Sequence, residues 1–227
     1  MASHRGVRHG RWLLTVPLVI AGLMFLLVEG ASGSAPTDLP TAQELPPEAV
    51  AAVLYPPVDL QTISKADFKR AIVQAAAQAH LKRVPSPGQK GHRKLKVSAM
   101  KNLLDESWIQ GQAAEMGIRF TPGEVAVQVA QIKRMNFKSI ADYKRFLKTS
   151  HLNQADVNEL VKLQLLVTAI QAKVLRGVKG KKMRRQVFTR FVAEYTKRWR
   201  SRTVCAPGYV FGRCSNAHAR QHQGTLG

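Results

Sequence analysis

Along most of the chain the apolar residues recur every three or four positions, the period of a helix buried on one face. A sharp stretch begins at Ser98, an expected N-cap, and carries Met100, Leu103, Leu104, Trp108 and Ile109, with Gly117 just past its end. Thr121-Pro122-Gly123-Glu124 reads as a capping box with proline in the first helical position, opening a helix with Val125, Val129 and Ile132 on one face. Ser139-Ile140-Ala141-Asp142 predicts another start, with Ile140, Tyr143, Phe146 and Leu147 apolar. Asn153-Gln154-Ala155-Asp156 opens a longer helix through Val157, Leu160, Val161, Leu165, Leu166 and Ile170 to Val174. These four starts lie within about sixty residues and leave little room for a sheet, so the pattern predicts a compact all-α unit.

Upstream, Ser64-Lys65-Ala66-Asp67 predicts an N-cap with an acid in the first turn, followed by Phe68, Ile72, Val73 and an alanine-rich stretch to Ala79. Six prolines between Pro36 and Pro57 break residues 36–62 into a linker, whose one apolar run, Ala49 to Tyr55, reads as a lead-in strand. Pro85 to Lys96 is expected to be a basic, flexible loop. After the interruption Gly177 to Lys182, a last helix over 182–202 has Met183, Val187, Phe191, Tyr195 and Trp199 at strict i, i+4 spacing. Such a stripe is expected to pack on the preceding helices. The polar residues 217–227 have no periodicity and are expected to be disordered.

The N-terminus bears on compartment. Arg5, Arg8 and Arg11 precede the apolar run Trp12 to Val28, and small residues follow from Gly30 to Ala35. That order of basic, apolar and small-residue zones predicts an export leader over 1–35, either cleaved near Ala35 or kept as a membrane anchor. Outside the cytosol, the two cysteines Cys205 and Cys214, separated by a Pro-Gly turn, are expected to close a small disulfide loop. Free thiols and a metal site are the alternatives; zinc needs two more ligands, and the spacing to His218 and His222 is a poor finger pattern.

The charge ledger is lopsided, 35 Lys+Arg against 14 Asp+Glu, or +21. Without Arg5, Arg8, Arg11 and Glu29 of the leader it is 32 against 13, or +19. A surplus of that size attracts polyanions. Its densest part is Arg176 to Arg202, with eleven Lys or Arg and the single acid Glu194.

No catalytic pattern emerges. His80, His92 and His151 are isolated from any positioned partner, as a general base would require. Glu115, Glu124 and Glu159 lack a histidine one turn away, Ser98 and Ser107 lack a nucleophile elbow, and there is no phosphate-cradling or dinucleotide fingerprint. No metal or cofactor is expected. Function is therefore sought in binding.

Residues 98–174 resemble the N-terminal domain of the SurA and PrsA class of extracytoplasmic chaperones and foldases. The resemblance rests on Leu103-Leu104 before Trp108, on Ala113 to Ile118, on Thr121 to Val125, on Phe137-Lys138-Ser139, and on the helix from Asn153 to Leu166. Leu45 to Ala51 and Ile63 to Phe68 look like the family's first strand and first helix, and Trp199 to Cys214 is similar to the ending of actinobacterial members, so the likeness spans roughly 45–216. Tyr55-Pro56-Pro57 stands where relatives have a glycine turn. A larger departure is that only nine residues separate Lys173 from Met183, where foldases of this class carry a parvulin prolyl-isomerase domain. Prolyl-isomerase activity is thus not expected.

The resemblance implies a SurA-N-like, trigger-factor-like helical chaperone domain over 63–216, with a long C-terminal helix and the cysteine loop 205–214. Its implied partners are unfolded or newly exported polypeptides. Met116, Met135, Phe137, Tyr143 and Phe146 are the candidates to line an adaptable apolar cradle, because flexible methionines and flat rings accommodate varied clients; simple core packing is the competing account of each. The basic stretch raises a second expectation, an anionic membrane or wall polymer. Nucleic acid is disfavoured by export and by the lack of an aromatic-interleaved stacking stripe.

Overall fold

The computed structural model describes residues 39–56 and 59–217. The expected leader, and the tail from residue 218 with His218 and His222, lie outside the described residues. Six helices dominate: α1 (Lys65–Gln78), α2 (His92–Glu115), α3 (Pro122–Asn136), α4 (Ile140–Ser150), α5 (Gln154–Val174) and α6 (Lys181–Ser201). The fold is mostly α, as the apolar period predicts.

To the helices is added a three-stranded antiparallel sheet, with β1 (Ala49–Tyr55) between β2 (Asp59–Ser64) and β3 (Thr203–Cys205). Only β1 was legible, because it is the central strand and is buried on both faces, which gives an unbroken apolar run. Four of the six residues of β2 are exposed, so it carries no apolar alternation. Strand β3 is too short to show a period, yet it pairs from Val53↔Thr203 to Ala51↔Cys205 and so ties the end of the chain to its beginning.

Four helix starts follow from local chemistry. Ser64, Thr121, Ser139 and Asn153 each accept a backbone N–H three residues on, at 3.0, 3.2, 3.1 and 2.9 Å. At Thr121 and Asn153 the acid in the third position reaches back to the cap's own N–H, completing a capping box. Each such cap stabilises its helix by about 1 kcal/mol.

The start of α2 departs from expectation. Ser98 is not its N-cap but lies inside it, and the cap is Gly91, at φ 90° and without a side-chain bond. Residues 92–96 are therefore helical and not loop. The gain that extends the helix is burial: Leu95 is 6% exposed and packs with Ala75 and Ala76 of α1.

The main core lies between the sheet, α1, α2 and the end of α6, with Trp108 and Trp199 both fully buried. Trp108 Nε1 donates to Thr203 Oγ1 at 2.8 Å, Thr203 Oγ1 donates to the Trp199 carbonyl at 2.7 Å, and Trp199 Nε1 donates to Gln112 Oε1 at 3.2 Å. Helix α2 continues past this core to pack Ile109 and Ala113 against Leu166 and Ile170 of α5. The stripe on α6 is covered progressively. Trp199 is buried, Tyr195 and Phe191 are partly so, and Met183 is 52% exposed. The disulfide Cys205–Cys214 is formed and buried beneath the sheet's C-terminal edge.

Candidate client-binding surface

Helices α3, α4 and α5 form a small unit with its own core, centred on Val125, Val129, Tyr143, Val157 and Val161. Three of the five candidate residues meet there. Phe137 lies 5.1 Å from the Tyr143 ring, edge-on, and 5.3 Å from Phe146, and Tyr143 and Phe146 stack at 6.3 Å. Tyr143 is 8% exposed, and its hydroxyl donates to Gln154 Oε1 at 3.0 Å. Lys133 donates to the same oxygen at 2.8 Å and holds its ammonium 4.2 Å from the Tyr143 ring centroid. Burial pushes the Tyr143 hydroxyl's pKa up, the bond to Gln154 opposing it.

Of the five, Met135 presents the most to solvent. It is 71% exposed at the end of α3, and Ile140, at the start of α4, is 76% exposed. The two flank Phe137 in the chain, so the α3–α4 corner carries apolar side chains on the outside of an aromatic core. Met116 sits elsewhere, at the end of α2, partly buried with Ile109, Ala113, Leu166 and Ile170. Its carbonyl accepts from Lys173 Nζ at 2.6 Å. Phe120 touches both clusters and links them. Ile140 was readable as apolar but not as exposed, because the pattern places it on the same face as Tyr143.

Basic residues occur both at this corner, as Lys133, Arg134 and Lys138, and along α6. In α6, Lys181, Lys182, Arg185, Arg190 and Lys197 make no ion pair among the described residues, whereas Arg198 and Arg202 both engage Glu115. No cluster of three or more His, Cys, Asp or Glu that could hold a metal ion occurs among the described residues.

One acid stands out at the seam between α2 and α5. The half-buried Glu106 carboxyl is pushed up to about 7, first by burial and then by Glu159, with Lys162 and Arg70 pulling the other way. Glu159 is itself held by Gln110 at 2.7 Å and by Lys162 at 3.3 Å. A raised carboxyl pKa means that the folded chain binds the proton more tightly than the unfolded chain. Stability from this group is therefore full below its ordinary value of 4.5 and is lost as pH rises through about 7. Glu106→Gln is expected to be more stable than wild type at pH 8, by about 1–2 kcal/mol after allowing for partial exposure, with the difference gone by pH 4. Melting curves across that range check this; parallel curves would refute it.

This helical assembly, with an apolar corner on a small aromatic core, is a chaperone-type module of an extracytoplasmic class. The chain belongs to the SurA-like N-terminal domain family, whose model matches residues 7–171. No curated protein and no solved structure matches the chain. The family match ends within α5, so α6, β3 and the disulfide loop lie beyond it and still complete the core and sheet.

Proposed function

We propose that the protein holds unfolded or newly exported polypeptides outside the cytoplasm and does not isomerise prolyl bonds. The observation that carries this reading is the α3–α4 corner, where Met135 and Ile140 stand 71% and 76% exposed on a folded chaperone-family unit. Adaptable apolar side chains on a rigid base suit a binder of many sequences at low affinity. Helices α5 and α6 are joined directly by residues 175–180, which supports a role without the parvulin domain. The order of Arg5, Arg8 and Arg11 before the apolar run Trp12 to Val28 is that of an export leader, which supports newly translocated polypeptides as the clients. No helix among the described residues is long and apolar enough to cross a membrane.

The test is suppression of aggregation of a reduced, unfolding client at low and high salt, beside a prolyl-isomerase assay. Wild type is expected to suppress aggregation at both salt levels and to catalyse no isomerisation. Met135→Glu with Ile140→Glu is expected to lose most of the suppression, at least fivefold in the concentration needed, with an unchanged melting temperature because neither side chain is in the core. Isomerase activity, or full suppression by the double variant, would overturn the proposal.

Lys181, Lys182, Arg185, Arg190 and Lys197 of α6, which make no ion pair among the described residues, favour a second reading, attachment to an anionic membrane or wall polymer. Each cation at an anionic surface adds about 1 kcal/mol. Binding to anionic vesicles that disappears with salt, in the absence of client holding, would select it.

A further inference from the structure

Between the first turns of α2 and the disulfide loop lies an open pocket of about 310 Å³. Its apolar walls include Phe68 of α1, Val97 of α2, and Tyr209 and Phe211 of the loop, and Arg93 and Lys96 stand among its lining with no acidic residue beside them. Phe68 and Tyr209 meet edge to face at 5.2 Å, and Lys96 Nζ lies 5.3 Å from the Tyr209 ring. The loop wall is fixed from below by the buried disulfide and by Arg213, which reaches Asp105 of α2. Two of these four apolar side chains, Tyr209 and Phe211, come from residues past the family match, which ends at residue 171.

We infer that this pocket captures one bulky aromatic or aliphatic side chain of a client segment whose neighbouring residues are acidic. The inference rests on the client-holding reading and names the sequence class that one surface selects. Size favours a side chain: ligand pockets run from roughly 300 to 1,000 Å³, and this one is at the small end, too small for a two-chain lipid. Charge complementarity supplies the flanking preference. Arg93 is exposed at the rim, and a carboxylate beside the captured ring would meet a guanidinium and an ammonium with no competing acid in the lining.

The test uses the full chain and two fluorescein-labelled peptides, one with a phenylalanine flanked by Asp and Glu and one with the flanks changed to Lys. Anisotropy is expected to show the acidic peptide binding at least tenfold more tightly at low salt. Val97→Trp fills the pocket from a side chain that is 42% exposed, and Arg93→Glu with Lys96→Glu reverses its rim. Each variant is expected to weaken the acidic peptide at least tenfold, and the second to remove or invert the preference between peptides, with unchanged near-ultraviolet circular dichroism. Equal affinity of both variants with wild type, no binding by wild type, or loss of binding to phosphatidylglycerol vesicles in place of peptide each overturns the inference. If the variants bind peptide as wild type does and aggregation is still suppressed, the pocket fails and client holding stands. If wild type binds the acidic peptide as described but suppresses no aggregation, the pocket stands and client holding fails.

Discussion

Gly111→Ala is expected to destabilise the protein by about 3 kcal/mol or more, the upper end of the cost of forcing extra volume into a packed core. Gly111 lies where α2 passes the end of α6, and a Cβ there would sit 2.2 Å from Cη2 of Trp199 and 2.7 Å from Cζ3. The obstacle is a ring and not the free end of a flexible chain. Trp199 has no exposed surface, its Nε1 donates to Gln112, Tyr55 packs against it edge-on at 5.7 Å, and the Arg202 guanidinium covers it at 5.3 Å. The ring cannot turn aside without breaking one of these, so the helices must separate. For a chain of this length 1 kcal/mol shifts the melting temperature by about 2–4 °C, so a fall of roughly 6–12 °C is expected. Two controls make the cause specific. Gly123→Ala meets nothing nearer than Thr121 Oγ1 at 3.9 Å, and its melting temperature is expected to stay within about 2 °C of wild type. Trp199→Phe is expected to be destabilising alone but to mitigate Gly111→Ala, so that the double variant costs less than the sum. Strict additivity would mean that the two residues do not clash.

This contact also shows what the sequence could and could not reveal. A glycine within a helical pattern is merely unfavourable by propensity, and nothing local says that an indole from residue 199 occupies its place. By contrast, Ser64, Thr121, Ser139 and Asn153 were readable because a cap is a bond between residues three apart, written within one turn of the chain. The start of α2 was not, because Gly91 caps it with conformation alone and the basic first turn His92-Arg93-Lys94 has the composition of a loop. What recruits that turn into the helix is Leu95 meeting α1, a tertiary fact. The same limit governs the candidate surface. Phe137, Tyr143 and Phe146 stand out in the sequence for their flat rings, and at the corner the three do meet. Which apolar residue ends inside and which outside depends on α5 closing over the corner, and so Ile140 is exposed while Tyr143 is buried. The pocket at the disulfide loop was beyond reach for a plainer reason: its walls come from positions as far apart as 68 and 211.

Reducing the Cys205–Cys214 bond is expected to cost about 3 kcal/mol, the loop-closure value for a crosslink of this span. The residues it closes do structural work at both ends. Cys205 is the last residue of β3, whose register with Ala51 holds the chain's end against the central strand. Asn216, just beyond Cys214, returns a bond from its Nδ2 to the Cys205 carbonyl at 2.8 Å. Between them Arg213 crosses to Asp105, which also takes Lys101 at 2.7 Å, and lies 4.9 Å from the Trp108 ring. A three-residue strand cannot hold that arrangement by its own hydrogen bonds, and without the covalent link the loop has its full unfolded entropy to lose on folding. The part-buried Arg213–Asp105 pair adds little beside the bond, because desolvation, which lowers the Arg213 pKa to about 10, offsets part of the attraction between the charges. The melting temperature should therefore drop by roughly 6–12 °C on treatment with a phosphine reductant, and Cys205→Ser with Cys214→Ser should start at the lower value and not respond to the reductant. Peptide binding in the pocket should fail at lower temperature than the helical signal in the reduced protein, because Tyr209 and Phe211 are released before α2 and α5 part. If reduction left both signals unchanged, the Arg213–Asp105 contact and the β3 register would be sufficient to hold the loop, and the disulfide would be a consequence of the fold and not one of its supports.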